Sequence, residues 1–163
     1  MIEFDKYNEQ QLILYVDTGM SKDIEITLLQ AESIPPTNLT YVVIGAREND
    51  KWIFVRHRER QSWELPAGHI EKNEEAGEAA RRELYEETGT TESEMAVITD
   101  YRVSIRGKVL FGRLFFAEVK KRGPLPESEI GEIMVAGESP APATYPEAHE
   151  VFVRLLETHI RQT

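Results

Sequence analysis

Cysteine is absent from this chain, so neither a disulfide nor a thiolate nucleophile or metal ligand can enter its chemistry. Histidine is scarce, at four residues, and neither His149 nor His159 has a histidine partner at metal-ligand spacing. Long apolar runs are also missing. The run from Leu12 to Val16 is far too short to cross a bilayer, and the opening MIEFDKYNEQ is polar and acidic, unlike a signal peptide; a soluble cytoplasmic protein with no membrane partner is expected. Positive charge is in short supply, with 19 Lys and Arg against 29 Asp and Glu and a formal net charge of −10. That balance disfavours a sequence-independent nucleic-acid binder, which needs a positive field to neutralise phosphates. A phosphorylated small molecule stays compatible with it if a cation and a few local basic groups enter the cleft, the rest of the surplus serving solubility.

Acid is the abundant component, and it is concentrated in GHIEKNEEAGEAARRELYEETGT, Gly68 to Thr90. The spacing predicts a helix opened by Asn73 as N-cap and closed by Gly89, with Glu74 and Glu75 in its first turn facing the positive end of the macrodipole. Winding at about 100° per residue puts Ala76, Ala79, Ala80 and Leu84 in one sector. Glu83 and Glu87 fall in the same sector, and Glu86 at its edge. Glu78, Arg81, Arg82 and Tyr85 fill the outward side, so the solvated face has its polar residues without those acids.

Three carboxylates crowded into about 100° of arc and partly withdrawn from water need protonation or counter-charge to persist. A hard divalent cation supplies it, and carboxylate oxygens with water suit Mg²⁺ or Mn²⁺ better than zinc. Arg82 lies four residues before Glu86, the spacing at which a guanidinium holds a carboxylate in one orientation.

The stretch resembles the Nudix box: Gly, five residues, Glu, seven residues, Arg-Glu, an apolar residue, any residue, Glu-Glu, any residue, Gly, then an apolar residue. Gly68, Glu74, Arg82, Glu83, Leu84, Glu86, Glu87 and Gly89 stand in register, and only Thr90 departs, where an aliphatic residue is usual. WELPAG, Trp63 to Gly68, is similar to the strand and turn that lead into the box. The resemblance implies an α+β fold, a Nudix-type α/β/α sandwich with a mixed sheet. It also implies hydrolysis by water of a pyrophosphate bond in a nucleoside diphosphate derivative. Carried over, it makes Gly68 (by its carbonyl), Glu83, Glu86 and Glu87 ligands to Mg²⁺, for which Mn²⁺ can substitute, and makes Arg82 the residue that orients Glu86 or Glu83. Glu86 is the first candidate for the base that takes a proton from water. Some members use a glutamate well after the box, which brings in Glu127, Glu129 and Glu132, with Glu129 foremost.

The remaining chain reads as one domain over residues 1–163. Leu39 to Ala46 and Lys51 to His57 form a predicted hairpin, as do Ala96 to Ile105 and Val109 to Val119 about Gly107. Gln10 to Val16 and Asp23 to Leu29, turning near Gly19, make an N-terminal β-hairpin up to residue 36 that adds to the family's minimal core and offers a surface for a symmetric homodimer. After the proline-rich SPAPATYP, Ala148, Val151, Phe152, Leu155, Leu156 and Ile160 recur at helical spacing over residues 146–161, with His149 and His159 on the polar face. Arg56 and Arg58 in VRHRER are candidate phosphate-binding residues, and Arg102, Arg106, Lys108 and Arg113 a positive group that balances the box. Trp63 reads as packing, with Tyr85 a candidate stacking residue.

For substrate, the chain lacks the proline (Ile105 stands there) and the tyrosine (Arg106 to Lys108) that mark the ADP-ribose and dinucleoside polyphosphate groups. The compact length, the VRHR run and an opening, MIEFDKYN, similar to that of some bacterial nucleoside triphosphate pyrophosphohydrolases imply a (deoxy)nucleoside triphosphate, including an oxidised purine one, giving monophosphate and pyrophosphate. ADP-ribose or nucleotide-sugar hydrolysis, RNA 5′-end pyrophosphate removal and a non-catalytic nucleotide sensor are the alternatives. Against the last, no acid of the box is missing.

Overall fold

The computed structural model describes the backbone of residues 2–5, 11–16 and 24–163, and the side chains from residue 25 onward. Its strands are β1 (Ile2–Asp5), β2 (Gln11–Val16), β3 (Ile24–Leu29), β4 (Tyr41–Glu48), β5 (Lys51–His57), β6 (Ala67–His69), β7 (Thr90–Ile105), β8 (Lys108–Arg122) and β9 (Ile130–Ala136). The helices are α1 (Ala76–Thr88) and α2 (Pro146–Gln162). The strands join in one mixed sheet in the order β1-β2-β3-β7-β8-β4-β5-β9, with β6 attached to β4. β4 and β8 run parallel and the other pairs antiparallel.

Alternation along each strand sends its apolar residues to two faces. Ile26, Leu28, Val43, Phe54, Tyr101 and Leu114 pack under Val151, Phe152 and Leu156 of α2. On the opposite face Val42, Ile44, Ile53, Phe115 and Ala117 meet the alanine stripe and Leu84 of α1. The expected sandwich is therefore present, and β2 and β3 pair as expected, with β1 as a further strand the sequence reading did not foresee. The turn near Gly19 lies outside the described residues. Among the described residues no helix is long and apolar enough to cross a membrane.

Two local readings are corrected. Helix α1 begins later than Asn73, which has φ 65; its N-cap is Glu75, whose backbone N–H donates to the Glu78 carboxylate at 3.0 Å. Glu74 and Glu75 thus precede the first turn, while Gly89 ends the helix in the left-handed conformation, φ 73, as expected. The β7–β8 hairpin is longer than its apolar runs, turning through Arg106 and Gly107 at φ 50 and 80, a two-residue loop matched to strand twist. Ile130–Ala136 is a further, edge strand, with Glu132 exposed, Ile130 buried, and Ile133, Met134, Val135 and Ala136 packed alternately against the two cores.

What positions the site is a split in the sheet. β4 and β5 pair only at Arg47↔Trp52 and Glu48↔Lys51 and then diverge. The segment before α1 fills the gap: Glu64 exchanges backbone hydrogen bonds with Val55 at 2.9 and 3.0 Å, Ile44 donates to the Pro66 carbonyl at 2.8 Å, and β6 pairs with β4.

Candidate active site

Helix α1 lies beside this split, and its inward carboxylates reach into it. Glu87 is 4% exposed and accepts the backbone N–H of Ala67 at 3.1 Å. The Glu83 carboxylate lies over Gly68 so closely that a Cβ there would be 2.0 Å from its Oε1. Gly68 is therefore required by close approach.

Arg82 organises the outer side of the cluster. Its guanidinium donates to Glu74 at 2.8 and 2.9 Å, to Glu83 at 2.7 Å, to Glu86 at 3.3 Å and to the His69 carbonyl at 3.0 Å. The expected i to i+4 contact with Glu86 exists, but Glu74 and Glu83 are the nearer partners. Read as outward from helical phase, Arg82 is in fact half-buried, because the segment before α1 folds back and covers it. These anions raise the guanidinium further above its usual range, and Glu74 is held below the usual carboxylate range by the same bonds.

The inner acids show the opposite response. Burial pushes Glu87 up to about 9, partly offset by the Ala67 N–H and reinforced by Glu83, Glu64 and Glu129. Glu83 is raised by burial against the opposing pull of Arg82, and Glu64 is raised by burial although His57 and Arg60 oppose it. His57 Nε2 lies 2.9 Å from Glu64 and its Nδ1 3.9 Å from Glu129. Ligand atoms of His57, Glu87 and Glu129 fall within 4.8 Å of one another. Several carboxylates that resist ionising together, supplied with hard oxygen donors and a single imidazole, fit a divalent cation such as Mg²⁺ or Mn²⁺.

A NUDIX domain model matches residues 36–156. This chain belongs to the Nudix family. Among similar proteins, YtkD of Bacillus subtilis (strain 168), provisionally named an 8-oxo-dGTP diphosphatase, is 35% identical over 81 residues, 50% of this chain and 51% of YtkD. The ADP-ribose pyrophosphatase of the same organism is 34% identical over 100 residues, 56% of this chain and 54% of that protein. The chain spans about half the length of these curated relatives. A crystal structure of the Bacillus subtilis pyrophosphohydrolase BsRppH, in a mutant form, has a TM-score of 0.74 at 23% identity and covers 85% of this chain and 92% of its own. At that identity the likeness shows the Nudix fold alone.

Within the Nudix domain the predicted site residues divide. Gly68, Arg82, Glu83, Glu87 and Glu129 come together around the split, with Glu86 at its exposed edge beside Arg82. Arg58 lines the adjoining cleft of about 1070 Å³. Arg56 does not. It pairs with Glu132 and lies over the Trp63 ring, 5.0 Å from its centroid, because strand alternation sends it to the face opposite His57. Glu132 is thereby engaged away from the cluster, and Glu127 is exposed outside the cleft lining. The positive group on β7 and β8 does not balance the box: Arg113 makes a bidentate pair with buried Asp100 at 2.6 and 3.0 Å, and Arg102 faces Glu25 at 3.6 Å. Trp63 is buried as packing, and Tyr85 is exposed on the outer side of α1. His149 is half-buried, not on a polar face; it lines the cleft and bonds Ser139 Oγ at 2.9 Å, and burial lowers its imidazole.

Sequence reasoning missed His57 and Glu64. Both signals were present, since Glu64 sits inside the WELPAG stretch and period-two alternation sets His57 opposite Arg56.

Proposed function

We propose that this chain is a Mg²⁺-dependent pyrophosphohydrolase acting on a nucleoside triphosphate, releasing a nucleoside monophosphate and pyrophosphate. The observation that carries the reading is the convergence of Glu83, Glu87, Glu64 and Glu129 around Gly68, the first three half-buried or buried and Glu129 exposed, with Arg82, His57 and Arg60 as nearby counter-charge among the described residues. Glu83, Glu86, Glu87 and the Gly68 carbonyl would hold the ion, which when bound neutralises pyrophosphate oxygens and activates water.

The chain's own residues supply the rest. Arg82 fixes Glu83 and Glu86 in orientation, and the Ala67 N–H fixes Glu87. Arg58, at the cleft rim, meets the phosphate chain. Glu129 is the better-supported base, since its carboxylate lines the cleft near Glu87 and His57, whereas Glu86 lies outside the lining and is engaged by Arg82. The triphosphate reading is supported by the YtkD similarity over half the chain.

The test is phosphate release, with added pyrophosphatase for nucleoside triphosphates, oxidised purine triphosphates and 5′-triphosphorylated RNA and with added alkaline phosphatase for ADP-ribose, whose products are AMP and ribose 5-phosphate, each with Mg²⁺ and with chelator. Metal-dependent turnover greatest on a free triphosphate supports the proposal. Preference for ADP-ribose or RNA, or silence across the panel in a folded, metal-binding protein, overturns it.

A further inference from the structure

His57 lies outside the Nudix box, which begins at Gly68, yet its imidazole stands among the box carboxylates. It is the last residue of β5, and the pairing with β9 is irregular there. Arg56 pairs with Glu132 and His57 with Ile130, so Gly131 is left over as a bulge. The bulge brings β9 close over the next residue, since a Cβ on Gly131 would lie 3.2 Å from Arg58 Cα. The Arg58 N–H then donates to the Glu129 carbonyl at 2.9 Å. These contacts seat Glu129 beside the His57 ring.

The two nitrogens of that ring face different groups. Nε2 lies 2.9 Å from Oε1 of Glu64, an oxygen that also accepts from Arg60 Nη1 at 3.3 Å. Glu64 is itself fixed, through its backbone bonds to Val55 on β5. Nδ1 faces Glu129 at 3.9 Å, a separation too long for a hydrogen bond. Ligand atoms of His57, Glu87 and Glu129 nonetheless lie within 4.8 Å of one another, and Glu87 is among the carboxylates assigned to the ion. A carboxylate held against one ring nitrogen, with the other nitrogen facing a metal position, is the arrangement that orients imidazole ligands.

We propose that His57, its ring held by Glu64, is a ligand of this ion through Nδ1, and that the nitrogen donor makes the site take first-row transition ions, Mn²⁺ among them, more tightly than Mg²⁺. The inference rests on the metal reading of the acidic cluster and deepens it by naming the class of cation. The donors otherwise assigned, Glu83, Glu86, Glu87 and the Gly68 carbonyl, are all oxygen and suit Mg²⁺ and Mn²⁺ alike. Mg²⁺ gives up water reluctantly and favours oxygen, whereas imidazole suits transition ions, whose affinity for a given site rises from Mn²⁺ to Co²⁺. Glu129, across from Nδ1, keeps its place as the base. An imidazolium that only paired with Glu64 and Glu129 would touch no ion and would not discriminate between cations.

The test uses the metal alone. Parent protein loaded with Mn²⁺ should show nitrogen coupling by pulsed electron paramagnetic resonance, converted to the ¹⁵N pattern when its histidines are ¹⁵N-labelled. His57→Gln should lose that coupling with the circular dichroism spectrum retained. By calorimetry the variant should bind Mn²⁺ about tenfold or more weakly and Co²⁺ at least as much so, while Mg²⁺ changes by less than about twofold. Absence of nitrogen coupling in the loaded parent, a result that needs no variant to fold, overturns the proposal. So does a His57→Gln protein that keeps the coupling or that loses Mg²⁺ and Mn²⁺ affinity equally. A nitrogen-coupled parent that hydrolyses no triphosphate upholds the ligand and sinks the hydrolase reading instead, whereas turnover by an uncoupled parent does the reverse.

Discussion

Glu87→Gln should make the metal-free protein less sensitive to rising pH. In the fold the Glu87 carboxyl titrates near 9 instead of the ordinary 4.5, chiefly because burial removes its hydration and because Glu83, Glu64 and Glu129 add repulsion. Between those values the unfolded chain has released the proton and the folded chain keeps it. The folded state then binds more protons, so stability is full below 4.5 and is lost as pH rises toward 9, at about 1.4 kcal/mol per unit. From pH 4.5 to 7 the loss is about 3 kcal/mol, a large part of a small domain's stability. Glutamine removes this slope and keeps an oxygen that can accept the Ala67 N–H. Raised Glu83 and Glu64 contribute slopes of the same sign in both proteins, so the difference between the two isolates Glu87. Urea denaturation in chelator at several pH values from 5 to 8.5 measures it, and the variant should gain on the parent by about 3 kcal/mol toward neutrality. Added Mg²⁺ should then stabilise the parent more than the variant. Parallel pH profiles would refute the reasoning, since they would mean that Glu87 ionises in the fold at no cost.

Gly68→Ala should displace the Glu83 carboxylate, whose Oε1 lies 2.0 Å from the added Cβ, and lower turnover about a hundredfold with circular dichroism retained. Arg82→Lys loses the fork that spans Glu74, Glu83 and Glu86, and metal affinity by calorimetry should fall about ten- to a hundredfold. Arg58→Ala should raise KM while Arg56→Ala leaves it within about twofold, because Arg56 is held against Trp63 and Glu132 on the other face; the reverse ranking in steady-state kinetics would place the phosphates elsewhere. Asp100→Asn strands Arg113 in the core beside the Ile34 N–H that Asp100 also accepts, and chemical denaturation should show a loss of about 3–5 kcal/mol.

What the sequence made legible was local. The carboxylates of α1, its alanine stripe, the Gly89 stop and the apolar stripe of α2 lie within single elements, where a helical period places each side chain relative to its neighbours. The helix start was misplaced because Asn73 belongs to the connection that tucks Glu74 against Arg82, a contact eight residues apart that helical phase does not describe. Arg56 and Arg58 were taken together as cations near the box, although alternation alone separates Arg56 from His57. The features furthest from view depend on pairing between distant strands. Asp100 meets Arg113 only through the β7–β8 register, and Tyr41 and Gly112, far apart in the chain, stand side by side only because β4 pairs with β8. No periodicity within one strand carries that information.

Metal binding and chemistry measured on the same samples test the central claim most directly. Mn²⁺ occupancy by electron paramagnetic resonance and hydrolysis of a nucleoside triphosphate should be followed for the parent, Glu83→Gln and Glu129→Gln. The account predicts that Glu83→Gln loses occupancy and turnover together, and that Glu129→Gln keeps most of its Mn²⁺ while turnover falls about a hundredfold or more. A Glu83→Gln protein that hydrolyses at the parent rate without bound Mn²⁺, or a Mn²⁺-loaded parent inert on every triphosphate, would contradict it.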